Sequence, residues 1–216
     1  MAFYFRDYWA QPLVGELDIF DFGKGADGKA YSWITWNSGD NRHFYQEDYH
    51  DNKWTSTWCL DYFHWQGVLE TADVYPKYAY QFWTSYRTTS FVTGKAILWG
   101  GLQNVGDEFT VDVEIDPIRS TKVTIGTPGK QRVKFCNQYS LFKTADGKKN
   151  YNDVIEIEYD QSFGSGKSAG WRAWHARGIG ITQIIWRYDG KDIGDPQVAN
   201  ISTVKGYIKD KYPVLT

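Results

Sequence analysis

Apolar and polar residues alternate at every second position in this chain, and turn-forming residues interrupt the alternation at short intervals. That combination limits the accessible folds more than any other feature. In "EFTVDVEI", Phe109, Val111, Val113 and Ile115 fall on one side of an extended backbone, and Thr110, Asp112 and Glu114 on the other, which is the pattern of a half-buried strand. The segments YSWITW (31–36), YAYQFWTSY (78–86), KVTI (122–125), RVKFC (132–136), VIEIEY (154–159) and GITQIIWRY (180–188) are rich in β-branched and aromatic residues, which suit a pleated, half-buried surface. Turn signals stand between them: GADG (25–28), NSGD (37–40), Asp116-Pro117, TPG (127–129), ADG (145–147) and YDG (188–190). The expectation is an all-β fold, a curved antiparallel sheet closed into a barrel or stacked into a sandwich. One short helix is expected near the C-terminal end, over 196–210. There Asp195 could cap, Pro196 could open the first turn, and Val198, Ile201, Val204 and Ile208 recur at helical spacing.

A chain of 216 residues is long enough for one well-buried core. No linker-like or low-complexity stretch divides it, so residues 1–216 are read as one β domain. The repeated ADGK at 26–29 and 145–148 is read as the reuse of a favoured hairpin turn.

Charge excludes several partners. The formal net charge is -2 and no run of lysines or arginines breaks that balance, so nucleic acid is not an expected partner. No stretch approaches the roughly 20 apolar residues of a membrane span, and "MAFYFRDYWAQPLVG" lacks the basic and continuous apolar regions of a signal peptide. Cys59 and Cys136 are too few and too far apart for a disulfide scaffold, zinc knuckle or redox pair. One long-range bridge and two buried thiols are both open readings.

Familiar catalytic motifs fail on inspection. "HFYQEDYHD" (43–51) gathers His43, Glu47, Asp48, His50 and Asp51, residue types that ligate divalent ions, but their spacing fits no metal signature. On a strand His43 would align with Glu47 and Asp51 and not with His50. The reading adopted is a solvated polar loop, with no metal site and no cofactor. "FGSGKSAG" (163–170) lacks the first glycine of a phosphate-binding loop, since Gln161 holds that place; it is read as a hairpin loop. No nucleophile elbow or papain-like cysteine context occurs, and catalytic residues are left unassigned. The pairs Asp112/Glu114 and Glu156/Glu158 sit opposite apolar faces and are read as a solvent-exposed sheet surface.

Aromatic content is what remains to be explained: 11 Trp, 16 Tyr and 12 Phe, or 18% of the chain. In "KWTSTWCLDYFHW" (53–65), strand alternation would put Trp54, Trp58, Tyr62 and His64 on one face; in "YAYQFWTSY" the rings recur at Tyr78, Tyr80, Phe82 and Tyr86. Core packing explains many rings. Tyrosine and tryptophan, however, carry polar tips that need partners when buried, and a concave, partly wet aromatic surface satisfies them while suiting sugar rings or a flat apolar molecule.

Residues 151–186, "YNDVIEIEYDQSFGSGKSAGWRAWHARGIGITQIIW", carry one resemblance. The segment resembles the closing strands of bacterial secreted or lipoprotein-like β proteins, where a valine-rich strand precedes an aromatic-Ala-basic-Gly-aliphatic-Gly turn and a final strand; here the turn positions are Trp174, His175, Ala176, Arg177, Gly178, Ile179 and Gly180. The resemblance covers about a sixth of the chain. It implies a curved antiparallel sheet and a secreted or cell-envelope location, and it implies no activity.

The function expected from sequence is ligand binding in an aromatic-lined groove, with carbohydrate ahead of an apolar small molecule. Trp54, Trp58, Tyr62 and His64, with Tyr80, Phe82 and Trp83, are the expected ligand-binding residues. A glycan hydrolase or lyase using the same groove, and a structural or assembly subunit, are the alternatives. Oligomeric state is not legible.

Overall fold

The structure, a computed structural model, describes residues 2–25, 28–37, 39, 43–50, 53–61, 80–85, 88–94, 102–119, 128–163 and 168–205. The chain opens with β1 (Phe3–Tyr4) and a 3-10 turn (Phe5–Tyr8). It continues through β2 (Glu16–Lys24), β3 (Ala30–Asn37), β4 (His43–His50) and β5 (Lys53–Asp61). The middle strands are β6 (Tyr80–Ser85), β7 (Thr88–Gly94), β8 (Leu102–Gln103) and β9 (Glu108–Arg119). The last six are β10 (Pro128–Lys143), β11 (Asn150–Phe163), β12 (Ser168–Ala176), β13 (Gly180–Tyr188), β14 (Lys191–Val198) and β15 (Asn200–Lys205). β1 pairs with β8, and the others form one antiparallel sheet of thirteen strands in the order β14-β13-β12-β11-β10-β9-β7-β6-β5-β4-β3-β2-β15. The all-β, antiparallel, curved-sheet expectation holds.

The two ends of that sheet are neighbours in sequence. β14 and β15 are separated by Ala199 alone, yet β14 pairs with β13 while β15 pairs with β2. The sheet therefore curls until its edges approach, and one bent strand passes from one edge to the other. Ring contacts confirm the curl, since Trp33 on β3 lies 5.5 Å from Trp171 on β12 and Tyr31 lies 4.9 Å from Trp186 on β13.

Local chemistry explains the hairpin between β13 and β14. Asp189 (φ 50°) and Gly190 (φ 74°) both adopt left-handed backbone between the paired Tyr188 and Lys191. Asp-Gly meets the requirement for two consecutive positive φ angles in the tight turn that matches strand twist.

Three expectations are corrected. Residues 196–198 and 200–205 are strand rather than helix, and 206–210 lie outside the described residues. β-branched Val198, Ile201, Thr203 and Val204 favour extended backbone, and β2 offers a ladder from Asp21↔Asn200 to Glu16↔Lys205. Residues 43–50 form β4 and not a loop, with Phe44 and Gln46 buried; pairing to both β3 and β5 overrides the polar composition. Asp116-Pro117 does not end its strand. β9 runs on to Arg119, and a register shift against β7 between Thr89 and Phe91 absorbs the proline.

The core fills the inside of the curl. Phe20, Phe22, Tyr31 and Trp33 from one end of the sheet meet Val133, Phe135, Ile155, Ile157, Ala173 and Ile184 from the other. The N-terminal segment enters this space, burying Phe3, Phe5, Tyr8, Trp9 and Ala10. Gly180 (φ 96°) makes room for it, because a Cβ there would stand 2.9 Å from the Cβ of Ala10. Alternate residues of the same strands form a smaller outer cluster of Val154, Trp174, Ala176 and Ile185.

Candidate functional site: an aromatic cluster beside an unpaired edge

Period-two geometry assembles six rings on the inner face. Trp171 and Trp186 are register partners on β12 and β13, 6.2 Å apart and edge-to-face, and both are only half-buried. Behind them stand Tyr159 (5.9 Å from Trp171), Trp33, Tyr31 and Phe22, the last two stacked at 5.6 Å. Edge-to-face and offset contacts of this length match the preference set by the ring quadrupole. Two of the polar tips are tied locally: Trp33 Nε1 donates to Tyr31 Oη, and Trp186 Nε1 donates to Gln197 Oε1 at 3.2 Å. Gln197 Nε2 in turn donates to the carbonyl of Lys24 across the gap between β14 and β2. Burial raises the Tyr159 hydroxyl well above its ordinary pKa, so it stays protonated; it lies 3.5 Å from Nε2 of His175. His175 is buried against Phe5 and Tyr159, and burial lowers it to about 3, which keeps the imidazole neutral.

The ring set expected from sequence stands elsewhere. Trp54 and Trp58 lie on β5, and Tyr80, Phe82 and Trp83 on β6, while Tyr62 and His64 lie outside the described residues. A register shift against β4 pairs Trp54 with Tyr49 and Ser56 with Asp48, which interrupts the alternation linking Trp54 to Trp58. Trp58 pairs with the buried Gln46. Trp83 belongs to a cross-strand row running through Ser56, Asp48 and Trp33 to Phe20. At about 4.8 Å per strand, Trp83 is roughly 14 Å from Trp33 along that row. The clustered Trp171 and Trp186 escaped sequence reading because nothing in "GWRAWHA" or "GITQIIWRY" says that these strands pair, or that β3 will close over them. A tryptophan in each of two successive strand-like segments, at 171 and at 186, was the available signal.

The outer face of the same strands carries charge. Glu156 and Glu158 are buried, correcting the expectation of a solvent-exposed surface. Arg132 binds Glu108 (2.9 Å), Asp160 (2.8 Å) and Glu158 (3.2 Å), and Arg172 binds Glu158 (2.8 Å) and Asp192 (3.2 Å). Arg187 binds Asp192 (2.7 Å), Glu158 (3.0 Å) and Asp160 (3.3 Å). Burial alone would raise the Glu158 carboxyl, but Arg187, Arg172 and Arg132 outweigh it and hold the group below the usual range. Tyr139 Oη donates to Glu156 at 2.5 Å.

A second polar knot pins the N-terminal segment. Tyr8 Oη donates to Asp153 Oδ1 at 2.7 Å, and Arg177 donates to Asp153 at 2.5 Å and to Asp7 at 2.6 Å. Gln138 Nε2 adds a bond to Asp153 at 3.0 Å. Cys136, on β10, is a free thiol. Among the described residues no group of three or more His, Cys, Asp or Glu is placed to hold a metal ion, and no helix is long and apolar enough to cross a membrane.

No protein-family model matches the chain, and no curated protein sequence matches it significantly. Two solved structures are similar at low identity. One is a candidate lipoprotein from Parabacteroides distasonis, with TM-score 0.32 and 9% identity over 91% of this chain and 95% of that one. The other is a candidate exported protein with a YmcC-like fold from Bacteroides fragilis, with TM-score 0.29 and 10% identity over 90% of this chain and 98% of that one.

Proposed function

We propose that the protein binds carbohydrate at the aromatic cluster, with Trp171 and Trp186 as the stacking platform. The observation that carries this reading is the pairing of two half-buried indoles on adjacent strands, backed by the buried rings of Tyr31 and Trp33. Sugar C–H faces pack on such rings, and hydroxyls find amides of the kind Gln197 supplies. Sequence resemblance of residues 151–186 to exported β proteins supports a secreted or envelope setting for that role.

Binding is favoured over glycan turnover by the placement of the β11 acids. A glycosidase needs carboxyl groups flanking the bound sugar. Among the described residues of β11, Glu156, Glu158 and Asp160 alternate with Ile155, Ile157 and Tyr159 and therefore face away from the rings. Arginines hold Glu158 and Asp160.

The test is a tryptophan-fluorescence titration of the full chain with soluble oligosaccharides and fatty acids, repeated on Trp186→Ala. A saturable change with an oligosaccharide, weakened about ten-fold by the substitution, is expected, since a factor of ten is about 1.4 kcal/mol. Saturation by fatty acid alone would replace the sugar with an apolar ligand. Silence across the panel would leave the rings as core or as the interface of an assembly subunit. The same titration on Trp58→Ala addresses the rings singled out from sequence, independently of Trp186.

A further inference from the structure

The curled sheet lacks a ladder along one line. Among the described residues, β15 follows β2 only as far as the pair Asn200↔Asp21, so Phe22, Gly23 and Lys24 have β3 on one side and no described strand on the other. On the opposing edge, β14 pairs with β13 at Lys191–Ile193 and again at Gln197–Val198, leaving Gly194, Asp195 and Pro196 out of register. The two edges diverge from Ala199, whose N–H is anchored on the carbonyl of Thr182 at 2.8 Å. Gln197 reaches across the gap, accepting from Trp186 Nε1 and donating to the Lys24 carbonyl.

We infer that this seam is the route by which a ligand reaches the aromatic site, and that Gln197 is its latch. The inference rests on the ligand-binding reading of that site. Edges joined by backbone ladders open only at a large fraction of the global unfolding free energy, whereas edges joined by side chains open locally and cheaply. Pro196 has no N–H to donate and Gly194 holds a left-handed φ of 71°, so this part of β14 is built against extending its ladder toward β2. One amide therefore couples the orientation of the Trp186 indole to the position of the β2 edge. When the bond to Lys24 breaks, the same movement frees the Trp186 N–H for a ligand hydroxyl.

The experiment uses the full chain with Gln197→Ala and Gln197→Glu. Glutamate keeps an acceptor for Trp186 Nε1 but loses the N–H that reaches Lys24, so it isolates the inter-edge bond. Acrylamide quenching is measured without ligand, and the Trp186 contribution is taken as the difference from Trp186→Phe in each background. Loss of one such hydrogen bond shifts the open population about five-fold, so both variants are expected to show stronger quenching of Trp186 with an unchanged far-UV spectrum. Stopped-flow mixing with cellohexaose or chitohexaose is expected to show correspondingly faster association. Unchanged quenching in both variants would overturn the latch. Loss of the folded spectrum in both would also overturn it, by making Gln197 a requirement for folding. Stronger quenching with no response to either oligosaccharide or to laurate would sustain the latch and overturn the ligand-binding reading.

Discussion

Glu158 and Arg187, on strands separated by β12, meet at 3.0 Å on the outer face of the sheet, with side chains only 11% and 5% exposed. The pair is embedded in a network that also holds Asp160 and Asp192. Removing one member of a buried pair leaves the other charged and desolvated, which costs about 3–5 kcal/mol. Arg187→Met is therefore expected to lower the Tm by roughly 10 °C in a chain of this size, read by differential scanning calorimetry at pH 7. A shift under 2 °C, about what a surface substitution gives, would mean the network contributes little net stability.

The neutral His175 makes the fold sensitive to mild acid. Its folded pKa is about 3, whereas the unfolded imidazole titrates near the ordinary value of about 6.5. Below the unfolded value the denatured chain binds a proton that the native chain refuses, so stability falls as pH drops through that window. The slope approaches about 1.4 kcal/mol per pH unit. Urea unfolding of the parent and of His175→Phe between pH 4 and 7 reads the difference. Equal slopes would show that His175 is not buried neutral.

Asp153 acts with the same sign, in a more acidic window. Burial alone would raise its carboxyl, but bonds from Tyr8, Arg177 and Gln138 outweigh that effect and hold it below its ordinary value. Its stabilisation is present above the unfolded carboxylate pKa and disappears as pH falls through the lowered folded value. Asp153 sits at φ 52°, a conformation asparagine also tolerates, so Asp153→Asn removes charge with little backbone strain. A loss of about 1–3 kcal/mol at pH 7 is expected, shrinking in strong acid as the parent loses the same interaction. A pH-independent loss would assign the effect to packing.

Cys136 is expected to resist alkylation. Burial, followed by the charges of Glu158 and Glu156, pushes its thiol up to about 11, and the reactive species is the thiolate. Peptide mapping after iodoacetamide treatment at pH 8 is expected to find Cys136 unmodified in the native protein and modified in urea. Rapid native labelling would show that the β10 register shift next to it opens readily.

Strand identity was legible at several period-two segments: RVKFC, VIEIEY and GITQIIWRY all lie within strands, the last coinciding with β13, while KVTI (122–125) lies outside the described residues. YDG marked the tight turn after β13 for the reason that governs it, positive φ at Asp189 and Gly190. What failed depended on partners distant in sequence. The helix pattern at 196–205 yielded to β2, and the polar stretch at 43–50 became a strand because β3 and β5 flank it. Glu156 and Glu158 looked solvent-facing because their arginines come from β10, β12 and β13. The candidate site was hidden for the same reason: Tyr31 and Trp186 meet only after the sheet has curled.

The bent strand across Ala199 fixes an order of events during synthesis. Asp21 waits for Asn200 and Glu16 for Lys205, so β2 leaves the ribosome long before its last partner exists. Until then one side of β2 is a bare edge, the kind that recruits other chains, and contacts so distant in sequence form slowly. A nascent chain of this protein has its greatest need of a chaperone or a partner at that stage, and the arrival of β15 relieves it.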